Sequence, residues 1–105
     1  MNKNDIFKNY SLKTSTVDVP SWGGEVAIRE LSAGAMHAMR IAEGGSELEM
    51  AAIVVINGVV GDDGKRMFAD SDKKKILEMS PADLVLVSTA VIELSDLNSI
   101  AEDEE

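Results

Sequence analysis

Apolar and polar positions alternate strictly in one part of this chain. In the segment VDVPSWGGEVAIREL (Val17–Leu31), Val17 and Val19 flank Asp18, and Val26 and Ile28 alternate with Glu25, Ala27 and Arg29. A period of two places these apolar side chains on one face of a strand. Between the runs, Pro20-Ser21-Trp22-Gly23-Gly24 is dense in turn formers, so the segment predicts a β-hairpin. A two-stranded hairpin is marginal in water by itself, and its valine face must dock on the rest of the chain.

After the hairpin the pattern is helical. Ser32 can cap a helix through Ala33–Glu43, ended by Gly44-Gly45, with Ala35, Met36, Met39 and Ala42 inward and His37, Arg40 and Glu43 on one side. Gly34 weakens that helix by roughly 1 kcal/mol relative to alanine, so it leans on tertiary contacts. Ser46 and Glu49 have the spacing of a capping box, and Asn57-Gly58 has the composition of a left-handed terminus. Between them Ala51–Ile56 is apolar on every side, as expected of a central helix. Its β-branched run would also suit a strand, and the two end signals favour the helix. Val59–Phe68 places turn residues between two apolar pairs and predicts a tight excursion returning Met67 and Phe68 to the core. Asp70 or Ser71 then starts a helix through Lys73–Met79, and Ser80-Pro81-Ala82-Asp83 opens the last helix, running to about Leu97.

On the wheel of that last helix, Leu84, Leu86, Val87, Ala90, Val91, Leu94 and Leu97 fill an arc of ~160° that should face the core. Ser88, Thr89, Glu93, Ser95 and Asp96 lie opposite. Val85 and Ile92 intrude on this polar side, two turns apart. Burying such side chains is worth roughly 1.5–3 kcal/mol each, so either the N-terminal segment or hairpin covers them, or another subunit does. Trp22 has the same two readings: folded back over the sheet or first helix, or an interface anchor, a role its large area suits.

A length of 105 residues allows one domain. Residues 1–13 are aperiodic and read as a flexible arm, 14–98 as a single domain, and 99–105, ending AEDEE, as an acidic tail that frays. The predicted class is α+β and predominantly α-helical, an N-terminal hairpin packed on a bundle of about four helices. Nineteen acids against ten bases give a net charge of −9, which argues against binding a phosphate backbone and suits solubility or a basic partner. The cluster Lys73-Lys74-Lys75 lies among acids and reads as a solvated helix face. No apolar run reaches the ~18–20 residues that span a bilayer, and the N-terminus lacks a signal-peptide core, so a soluble cytoplasmic protein is expected.

Chemistry is sparse. There is no cysteine and one histidine, His37, so neither a disulfide framework nor a cysteine-ligated metal is available, and His37 has no recognisable nucleophile partner. Asp62-Asp63-Gly64 lacks the alternating acids and distant glutamate of a calcium loop, and no glycine pattern matches a nucleotide-binding loop. The expectation is a non-enzymatic binding or assembly protein without cofactor or metal.

The order V-x-V-P-x-W-G-G-x-V-x-I-R-x-L-S (Val17–Ser32), V-V-G-D-D-G-K-R-M-F (Val59–Phe68), D-S-D-K-K-K-I-L (Asp70–Leu77) and L-V-x-x-x-x-x-I-x-x-L-S-x-L (Leu84–Leu97) resembles the tail assembly chaperones of siphophages and related prophages. The likeness covers roughly residues 14–98. It implies a protein of the infected cell's cytoplasm, absent from the mature virion. It also implies self-association into curved assemblies and binding to the tape measure protein, which stays soluble until tail tube protein polymerises around it. A frameshifted longer form with an added C-terminal domain is implied too, this chain corresponding to the short form. The first helix departs from the pattern, with Ala33-Gly34-Ala35 where a charged pair is expected after Leu31-Ser32. Trp22, Val85 and Ile92 are then the candidate contacts with copies and client. The competing expectation is a monomeric acidic module that occupies a basic site on another protein.

Overall fold

The computed structural model describes residues 1–41 and 46–95, the side chains of Arg40 and Ile41 excepted. The alternating segment forms the hairpin: β1 (Thr14–Val19) pairs antiparallel with β2 (Gly24–Arg29), Val17 opposite Val26 and Thr14 opposite Arg29. A 3-10 turn at Pro20–Trp22 joins them through Gly23 and Gly24 at φ of 104° and 133°, where a Cβ would strain the backbone. Val19 and Ile28 are buried, and Val17 and Val26 pack against the same core. The excursion after Val59 lies along the other edge of β2. The Val60 N–H donates to the Ala27 carbonyl at 3.0 Å, and the Met67 N–H donates to the Val59 carbonyl at 3.1 Å. This ribbon covers an edge that would otherwise offer unpaired backbone groups. Of the two side chains expected to return to the core, only Phe68 does. Met67 stays 55% exposed, because successive residues leaving a ribbon point to opposite faces.

Helix α2 (Ala33–Ile41) starts where expected, with Ser32 Oγ accepting from the Ala35 N–H at 3.1 Å. Its expected end at Ala42–Gly45 lies outside the described residues. Helix α3 (Glu47–Gly58) begins with Ser46 Oγ accepting from the Glu49 N–H at 3.1 Å. The return half of the capping box is not formed; the Glu49 carboxylate instead lies 3.7 Å from Lys73 Nζ. Ala51, Ala52, Val54, Val55 and Ile56 are all buried, so the β-branched run is helical and central.

The end of α3 differs from expectation. Gly58 is not left-handed; it is the last helical residue, followed by extended Val59. Its lack of a side chain serves packing, because a Cβ there would meet Cγ1 and Cγ2 of Val91 at 2.6 Å. Two guanidiniums from outside the helix meet its terminal carbonyls: Arg66 Nε donates to Ile56 at 3.3 Å and Arg29 Nε to Asn57 at 3.5 Å. Cations at this end also complement the helix dipole.

A 3-10 turn at Asp70–Asp72 leads into a short α4 (Lys73–Ile76). It ends before the expected Met79 because the chain tightens into i→i+3 bonds, the Glu78 N–H donating to the Lys75 carbonyl at 3.1 Å and the Met79 N–H to that of Ile76 at 3.0 Å. Helix α5 (Pro81–Ser95) crosses both the hairpin and α3. Leu84, Val87 and Val91 are buried as predicted, but Leu86 is 43% exposed, and Ser88 and Ser95, expected on the polar side, are buried. Both hydroxyls are satisfied. Ser88 Oγ donates to the Val85 carbonyl at 3.3 Å. Ser95 Oγ donates to the Val91 carbonyl at 2.7 Å and accepts from the Leu31 N–H at 2.8 Å. Asp96 and Leu97 lie outside the described residues, as does the acidic tail.

The first thirteen residues, read from sequence as an aperiodic flexible arm, contain a helix, α1 (Lys3–Asn9). Asn2 and Asp5 cap it reciprocally at 3.0 and 3.3 Å. It buries none of its residues. The fold is thus α+β and mainly helical, with a hairpin on α2–α5 and α1 standing outside the core.

Candidate functional site

Two surfaces carry the residues singled out by sequence. The first lies on α5, where a 3.6-residue period turns one arc toward α3 and the hairpin and leaves the rest to solvent. Val85 is 52% exposed and has Leu86 beside it. Ile92, two turns on, is half-buried and packs against the core. It lines a groove of about 240 Å³ with Met39, Met50, Ala51, Val54 and Ser88. Val85 and Ile92 therefore sit differently: one projects from the helix, and the other forms the wall of an apolar groove between α5 and the start of α3. Ser88 is what joins them. Its short side chain satisfies itself on its own helix and leaves the groove room to form.

The second surface is at the hairpin loop. Trp22 is half-buried and meets Phe68 edge to face, ring centroids 6.5 Å apart at 80°, a favoured arrangement for aromatic quadrupoles. The start of α5 holds this loop, with Ser21 Oγ donating to the Asp83 carboxylate at 2.7 Å. Beside the aromatic pair lies a groove of about 580 Å³, with Val26, Val60, Met67 and Met79 among its apolar lining and Glu25 and Asp62 among its polar lining. The fold brings Trp22 together with Phe68, not with Val85, which projects from α5, or Ile92, which lines the other groove. Met67, expected in the core, reaches this surface through the return of the 59–68 ribbon, and Met79, in the turn after α4, has no sequence signal beyond being apolar.

Among the described residues no set of three or more His, Asp or Glu side chains is placed to hold a metal ion, and no helix is long and apolar enough to cross a membrane. His37 is exposed on α2. Both surfaces are suited to apolar contact with another macromolecule.

No protein-family profile and no curated protein sequence matches the chain. Among solved structures, the tail assembly chaperone of bacteriophage HK97 is similar, with a TM-score of 0.63 and 20% sequence identity over 84% of this chain and 89% of that one. The two chains share a fold, and over nearly the whole of each.

Proposed function

We propose that a chain with this fold is a non-enzymatic chaperone of phage tail assembly, which associates with copies of itself and keeps the tape measure protein soluble while the tail tube forms. The observation that carries the reading is the shared fold with the HK97 chaperone across 84% of this chain. Two properties support it. Apolar side chains sit uncovered on α5 and at the hairpin loop, as a protein that shields helical apolar surface requires. A net charge of −9 would keep the coated client dispersed. The site of action on this reading is the host cytoplasm, with the chain left out of the finished virion. Its partners are further copies, the tape measure protein, tail tube protein and any frameshifted longer form.

On this reading the same genome encodes a tape measure protein, and the test is co-expression with it. The soluble fraction of the tape measure protein should rise when this chain is present and fall back when it is absent. An insoluble client in both cases would overturn the reading. Val85→Asp is the cleaner probe of the α5 surface, since Val85 is half exposed while Ile92 also belongs to the core. Loss of one buried valine contact, worth ~1.5–3 kcal/mol, should weaken any assembly made through this face by about one to two orders of magnitude. Sedimentation velocity reads this as a shift toward the 11.3 kDa monomer with circular dichroism unchanged. An unaltered sedimentation profile would remove the α5 surface from the interface.

A further inference from the structure

Helix α1 contributes nothing to the core, yet it carries Ile6 and Phe7, with Tyr10 at its C-terminal cap, all more than half exposed. Lys3, Ile6, Phe7 and Tyr10 follow the i, i+3, i+4, i+7 spacing of a single stripe, the pattern with which a helix fills an apolar groove. The Trp22–Phe68 groove has the matching features. It is apolar along Trp22, Val26, Phe68 and Met79 and carries the carboxylates Glu25 and Asp62. Asp18 stands directly opposite Glu25 across the hairpin, and like charges in such a pair destabilise unless a cation joins them. Neither is ion-paired among the described residues. The charges are complementary. Residues 1–13 hold three lysines against one aspartate, in a chain of net charge −9.

We propose that α1 of one copy lies in the Trp22–Phe68 groove of a second copy, its aromatic stripe on the apolar lining and its lysines toward Asp18, Glu25 and Asp62. Arm and groove are different surfaces, so every copy offers both, and addition runs head to tail into a ring or an open filament. This deepens the self-association in the reading above and rests on that part alone. It is independent of any client and of the α5 surface.

The absence of native cysteine allows a direct test on the full chain, without client and with Val85→Asp in every preparation, so that a failure of the α5 surface is kept apart. Phe7→Cys protein is mixed with isotopically labelled Met67→Cys protein, oxidised mildly, and the mixed disulfide dimer is identified by intact mass. Thr89→Cys, exposed on α5, replaces Met67→Cys as the control. The mixed dimer should exceed the control several-fold, fall to the control level with Lys3→Glu and Lys8→Glu, and return when Glu25→Lys and Asp62→Lys are added to the other partner. Trp22, the sole tryptophan, gives a second readout without cysteines. Its emission should shift to the blue as the Val85→Asp protein is concentrated, and Phe7→Asp with Tyr10→Asp in that background should abolish the shift. Equal yields with Met67→Cys and Thr89→Cys would overturn the proposal, as would closure of a Phe7→Cys/Met67→Cys double variant within one chain at high dilution.

Discussion

Gly58→Ala is expected to lower the free energy of unfolding by about 1–3 kcal/mol, although the same change in an open helix would raise it by up to ~1 kcal/mol. The sign is set by Val91. The added methyl would stand 2.6 Å from both of its γ carbons, well inside the ~3.5–4.0 Å of a favourable carbon contact. Val91 is fully buried on α5, and a β-branched side chain in a helix has essentially one rotamer. It cannot turn aside, so the two helices must part. Urea denaturation of Gly58→Ala, Val91→Ala and the double variant measures the coupling. The double variant should be more stable than the sum of the single losses predicts, by ~0.5–3 kcal/mol. A Gly58→Ala protein as stable as the parent would mean that α3 and α5 are not in such close contact.

The second large effect is expected from Ser95→Ala, with a loss of about 1–3 kcal/mol. The Ser95 hydroxyl is the acceptor, at 2.8 Å, for the Leu31 N–H at a buried position, and without it that donor is shut away from water with no partner. Ser88→Ala is the internal control. Ser88 is equally buried, but its hydroxyl only donates back to a carbonyl of its own helix. Its loss strands no donor, and alanine is the better helix former. Ser88→Ala should therefore stay within ~0.5 kcal/mol of the parent. Amide hydrogen exchange gives the local readout: protection at Leu31 should fall in Ser95→Ala and persist in Ser88→Ala. Equal stability of the two variants would deny the Leu31–Ser95 bond its role.

These two serines also mark where sequence reading stops. A helical wheel sorts residues by polarity, and on α5 that rule sends Ser88 and Ser95 outward and Leu86 inward. The structure reverses all three. A serine hydroxyl can bond to a carbonyl one turn back, so its burial needs no outside partner, and its small size lets a neighbouring chain approach. Nothing local in the sequence announces that approach. Gly58 differs for a related reason: Asn-Gly carries a strong local turn meaning, while its real constraint comes from Val91, 33 positions away. Where a pattern is local, sequence and structure agree. Alternation located the hairpin through Val17, Val19, Val26 and Ile28, and Ser32 and Ser46 marked two helix starts. Helix α1 is harder to read: Ile6, Phe7 and Tyr10 have helical spacing and Asn2 and Asp5 have the spacing of a reciprocal cap, but two turns are too short to mark a helix among polar neighbours. Of the three candidate contact residues, sequence could name Trp22, Val85 and Ile92 as apolar side chains in polar settings. The two separate surfaces they occupy, and the companionship of Phe68, are products of tertiary folding.

The pairings of Ser21 with Asp83 and of Leu31 with Ser95 join positions 62 and 64 residues apart. On a ribosome the helix that holds the hairpin at both ends emerges long after it. Until then the isoleucine and valines of the hairpin lack the cover that α5 provides. Such long-range closure slows folding, and it leaves the nascent chain prone to stray association until α5 arrives. A product cut short ahead of Pro81 would remain in that sticky state for good.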